Sequence, residues 1–226
     1  MTPLRLTVPW PGIPVRDPAR IPPSVTPLPR ERRESTTERA WSLERLAGRI
    51  VELSSPPVGA SAGLNAAAVL LVQAQLRGEP TAWITADGSC FFPPDLAECG
   101  VDLATLAVVR AESVAISLRA ADRLLRSGAF GLVVLDFGAA PPAPLPPPSQ
   151  TRLAGLVHRH HATLLCLTRK GVDAPSLGSL VSLRGEGTLE RTGFDRFTWR
   201  LHVLKDKRQG PGWSHTEICR GPDGLC

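Results

Sequence analysis

From Arg49 onward, short apolar runs alternate with longer stretches of helical spacing, and this alternation most limits what the chain can fold into. IVEL (50–53), TAWIT (81–85), LAVV (106–109), LVVLDF (132–137) and TLLCL (163–167) are apolar almost throughout. Helix-like segments at 62–77, 113–127 and 149–161 separate them. Strands without a polar face, joined by helices, predict an α/β fold with a mainly parallel central sheet flanked by helices on both faces. After Gly178 the spacing shortens. LVSLRGEG, FTWRLHVLKD and SHTEICRG predict C-terminal antiparallel strands that continue the sheet.

The 226 residues suffice for one sizeable core with appendages. Nine prolines between Pro3 and Pro29 predict an extended arm over 1–30. Residues 31–48 read as an amphipathic helix and linker, with Ala40, Leu43 and Leu46 on one face and Gly48 as its stop. The core domain then runs 49–226. PPAPLPPP (141–148) predicts a stiff, non-helical excursion between the fourth strand and the next helix.

Five cysteines without CxxC spacing read as reduced thiols, which predicts a cytoplasmic protein. No apolar run reaches the about 18 residues of a membrane span, and prolines interrupt any signal-peptide core, so no membrane partner is expected. The net charge of +5 is uneven. Residues 1–49 carry nine basic against five acidic side chains, residues 50–151 five against nine, and residues 152–208 eleven against five. Basic flanks around an acidic centre suit nucleic acid, an acidic protein or a solvated arginine-rich face.

The most informative stretch is RIVELSSPPVGASAGLNAAAVLL, a strand, a loop and a helix in the order of a phosphate-binding site. Such a loop needs glycines to let amides close around phosphate, a lysine to neutralise it and a hydroxyl for magnesium. The four key positions hold Ser55, Ala60, Ser61 and Ala62. Without the lysine and the hydroxyl at their places, efficient ATP hydrolysis is not expected. Asp136, ending LVVLD, stands where a magnesium-orienting carboxylate belongs. Asp87, after TAWIT, stands where a water-activating one belongs. His158, His160 and His161 lack an acidic or thiol partner, so no metal is expected. No cofactor is expected either.

RIVEL, TAWITAD, GVDLATLAVVRAES, ADRLLRSGAFGLVVLDF, TLLCL and RLHVLKDKRQGP resemble, in order, the ATPase core of bacterial RecA over about residues 48–220. A RecA-like core with a degenerate Walker A loop and shortened DNA loops is similar to the ImuA group. That resemblance implies a non-enzymatic accessory of SOS mutagenesis and translesion DNA synthesis within the DNA-damage response. Its implied partners are RecA, ImuB and an error-prone DNA polymerase, with restraint of RecA recombination. It also implies that Lys205 and Lys207 lie at a RecA-type subunit interface and that Lys170 falls near the glutamine that senses the γ-phosphate. The arm with helix 31–46 is then the polymerisation-like element, and Trp41 and Leu43 on it are partner-interface residues. Arg30, Arg32 and Arg33 beside it either bind DNA weakly through phosphate or form a solvated face. Two other readings are a DNA-dependent ATPase of the RecA type and a SulA-like inhibitor of cell division.

Overall fold

Strand β1 (Arg49–Ser55) is buried along all seven residues because it has a hydrogen-bonded strand on each side and a packed layer on each face. The computed structural model describes residues 41–138 and 144–220, in which β1 lies inside an eight-stranded sheet. The other strands are β2 (Thr81–Thr85), β3 (Leu106–Arg110), β4 (Leu132–Asp136), β5 (Thr163–Arg169), β6 (Leu183–Arg191), β7 (Arg196–Asp206) and β8 (Ser214–Arg220). Their order is β3-β2-β4-β5-β1-β6-β7-β8. The first five expected strands are present within a residue or two. β6 enters parallel to β1, pairing Val51 with Leu183, and only the β6–β7 and β7–β8 pairings are antiparallel, a correction to the purely antiparallel continuation expected after Gly178.

Helices α1 (Leu43–Leu46), α2 (Gly63–Leu76) and α3 (Pro93–Glu98) contribute to one apolar layer. Helices α4 (Val114–Arg126) and α5 (Pro147–His160) contribute to the other. α2 has no charged residue, and its buried Ala66, Ala67, Ala68 and Ala74 keep its side chains short where it meets the sheet. α4 is amphipathic, with Ser117, Leu118, Ala121 and Leu125 turned inward and a Ser113 side-chain cap on the Ile116 amide.

Other expectations are corrected. The last two prolines of PPAPLPPP open α5 instead of preceding it, because a first-turn N–H has no helical partner to lose. Leu145 of that excursion is buried, and its amide donates to the Leu177 carbonyl at 2.7 Å. Of the helix expected over 31–46, the described part is Leu43–Leu46 alone. The arm 1–30, residues 31–40, Arg30, Arg32 and Arg33 lie outside the described residues. β3 forms the sheet edge, so Ala107 and Val108 are exposed although the strand is apolar.

Candidate functional site

The carboxyl ends of β1, β4 and β5 meet the start of α2, which is where the sequence placed a phosphate loop. Ser55, the last residue of β1, and Ser61 share a hydrogen bond of 3.0 Å between their hydroxyls. The Ser61 hydroxyl also accepts from the Gly63 amide at 3.1 Å, so the helix start is satisfied from within the chain. Ser61 forms an isolated antiparallel bridge with Thr188 of β6. Ala62 is fully buried, and a Cβ built on Gly187 would lie 3.0 Å from its methyl. The segment that would surround phosphate is therefore fastened to the neighbouring strand at its helix end. Ala60 and its neighbours Pro57, Val58 and Gly59 are exposed, Val58 at 88%.

Asp136 is 3% exposed and faces inward. Its Oδ2 accepts from the Cys90 amide at 2.9 Å and the Cys90 thiol at 3.2 Å, and its Oδ1 accepts from the Gly138 amide at 2.9 Å. Burial pushes this carboxyl above the usual carboxylate range, against the pull of those donors and of Arg169. Burial and the adjacent Asp136 push the Cys90 thiol up as well, which disfavours its thiolate form. Asp87 lies in the turn after β2 and is exposed. Its carbonyl oxygen lies 2.2 Å from where a Cβ on Gly138 would be, so the 86–89 turn sits directly over the end of β4.

The space enclosed by Ser55, Ser61, Gly88, Cys90, Asp136 and Arg169 is about 10 Å³. That is room for roughly one water molecule. No phosphate group fits into the space between these side chains, and no lysine stands beside it among the described residues.

Two features escaped sequence reasoning. Arg169 ends β5 at this site, with its guanidinium 3.4 Å from the Gly59 carbonyl. It is a cation beside the loop, but on a different strand from the lysine of a phosphate loop. Its only signal was a charge closing the apolar run TLLCLTR. The second is a buried ionic cluster beneath the 171–181 loop. Lys170 is 6% exposed and ion-paired with the fully buried Glu52, and it donates to the Pro175 carbonyl at 2.5 Å. Glu52 also accepts from the Ser176 hydroxyl at 2.8 Å and the Leu177 amide at 2.9 Å. Arg184 donates to the carbonyls of Gly171, Val172 and Ala174. Lys170 therefore anchors its own loop and does not face a γ-phosphate position.

The expected partner residues divide. Trp41 and Leu43 are 2% and 3% exposed, packed into the chain's own core, which corrects their assignment to an interface. The Trp41 indole donates to the Ala66 carbonyl at 3.0 Å and meets Trp199 edge-on at 6.4 Å. Lys207 is exposed and donates to the Ser179 carbonyl at 2.6 Å. Lys205 is partly buried, and burial and then Lys207 hold its amine below the usual lysine range. His161 closes α5 in the left-handed conformation, φ 54°. No group of three or more metal-ligating side chains occurs among the described residues.

No protein-family model matches the chain, and no curated protein matches it.

Proposed function

We propose that the chain is a non-catalytic RecA-like accessory protein of damage-induced translesion mutagenesis. It binds RecA and the complex of ImuB with an error-prone polymerase, and it restrains RecA recombination. The observation that carries this reading is the closed loop between β1 and α2. It stands where the resemblance puts a nucleotide, on a largely parallel sheet, with Ser61 bonded to Ser55 and about 10 Å³ of space left. A subunit that presents a RecA-type surface without taking nucleotide ends or weakens a filament instead of extending it. The anchoring of the 171–181 loop by Glu52, Lys170 and Arg184 supports the same reading, because a loop tied down this way is not free to wrap a DNA strand.

Lys207, exposed at the end of β7, and the partly buried Lys205 are the residues assigned to the RecA contact. Calorimetric titration with ATP and magnesium, with a hydrolysis assay with and without single-stranded DNA, is expected to show neither binding nor turnover. Micromolar binding with turnover would replace this reading by a DNA-dependent ATPase. In a pull-down, RecA and ImuB are expected to be retained. Retention of the division protein FtsZ instead of both would favour the SulA-like reading. Lys205→Ala combined with Lys207→Ala is expected to weaken RecA association, and an unchanged affinity removes that interface.

A further inference from the structure

At the amino end of the sheet, opposite the closed loop, α1 and the turn after β7 enclose a cavity of about 210 Å³. Arg45, Arg49 and Arg208 bring three guanidiniums to its wall, and Asp206 brings the one carboxylate. That carboxylate is fully engaged. Its Oδ1 accepts from Arg49 at 2.5 Å and from the Arg208 amide at 2.8 Å, and its Oδ2 accepts from the Trp213 indole at 3.2 Å. Arg45 and Arg208 have no carboxylate partner among the described residues. Arg208 is held at the wall by the carbonyls of Ala47 at 3.2 Å and Arg45 at 3.5 Å. The indole of Trp213 and the buried Leu46 and Leu183 supply the apolar part of the lining.

We propose that this cavity binds a phosphate monoester carried on a sugar or planar ring, as in a mononucleotide or the phosphorylated end of a nucleic-acid strand. Three guanidiniums against one carboxylate leave an excess of two positive charges, which a phosphate monoester of about −1.5 to −2 at neutral pH balances. A single carboxylate ligand would leave one charge over. Guanidinium forks match phosphate oxygens in pairs. Arg49 has its Nε and one Nη committed to Ser182 and Asp206, so the donors left for a ligand are those of Arg45 and of Arg208, the latter already held in place by the Ala47 and Arg45 carbonyls. The volume accommodates the phosphate with part of a sugar or ring beside Trp213, short of a whole drug-sized ligand. The site is remote from the closed loop and does not rest on the accessory reading.

The test titrates the full chain with short oligothymidylate carrying or lacking a 5′-phosphate, and separately with thymidine monophosphate, following calorimetric heat and tryptophan fluorescence. The phosphorylated strand is expected to bind one to one and at least about tenfold more tightly than the unphosphorylated strand, the worth of one charge-assisted contact. Gln209 lies on the exposed rim beside Arg45, whose Nη1 donates to its Oε1 at 3.4 Å. Arg45→Glu and Gln209→Glu are each expected to lower that affinity about tenfold or more with the thermal midpoint held. Thymidine monophosphate binding as well as the strand identifies a free nucleotide as sufficient, and binding of the strand alone assigns the site to nucleic-acid ends. Equal binding of both strands, no binding of any phosphate probe up to millimolar concentration, or affinities unmoved in both variants overturns the proposal. So does an acidic peptide that binds more tightly than the phosphorylated probes.

Discussion

Lys170 and Glu52 form a buried ion pair, and removing either leaves the other uncompensated. Lys170→Met is expected to destabilise the fold by about 3–5 kcal/mol in chemical denaturation, whereas Lys170→Met with Glu52→Leu should recover most of that loss. Asp206 and Asp136 are opposite cases of a carboxylate in a protein. Burial raises Asp206, but the Arg208 amide, the Arg49 guanidinium and the Trp213 indole together hold it below its unbound value of 3.8. Its contribution to stability is therefore full above about pH 4 and lost as pH falls through the depressed folded value. An Asp206→Asn variant should show a flatter loss of stability below pH 4 than the parent in pH-dependent denaturation. Asp136 has the reverse sign. Its folded value is raised, so its ionisation on raising the pH from acid toward neutral costs stability. Asp136→Asn should be accordingly less destabilising at pH 7 than at pH 4.

The element that decides the nucleotide question is the loop joining β1 to α2. Its closure depends on neighbours, since Ser61 bridges Thr188 and Ala62 packs against Gly187. Installing glycine, lysine and threonine at 60–62 is therefore expected to leave the chain without ATP turnover. The larger side chain at 62 crowds β6, costing about 1–3 kcal/mol. Appearance of turnover in that triple variant would mean that the residue types at 60–62, and not the packing of the loop against β6, were what was missing. The edge strand β3 is a different matter. It presents Ala107 and Val108 with no bulge or charge before Arg110, a template for unwanted pairing. Val108→Lys should change stability by no more than about 0.5 kcal/mol and reduce light scattering on heating. α5 shows how local rules yield to position. Pro147 and Pro148, which forbid a helix interior, are acceptable in its first turn.

Across the whole molecule, β1 pairs with β5 and β6, both more than a hundred residues later in the chain. A central strand completed only by distant partners implies slow folding, and refolding from denaturant is expected in milliseconds to seconds or longer by stopped-flow tryptophan fluorescence. The alternation of apolar runs and helical stretches was enough, on the sequence alone, to determine the α/β class, the first five strands and helices α2, α4 and α5. These depend on periodicity and burial, which neighbouring residues carry. The absence of a phosphate-loop lysine was equally legible, being a matter of residue type. Tertiary structure alone decided that Trp41 and Leu43 face inward, that Lys170 pairs with Glu52, that β6 runs parallel to β1 and that Arg45, Arg49 and Arg208 share a cavity. Each joins residues tens to more than a hundred positions apart, and a one-dimensional pattern does not contain the distance between them. A buried cation and an exposed one have the same letter in the sequence, and only the packing around them decides which one is free to meet a partner.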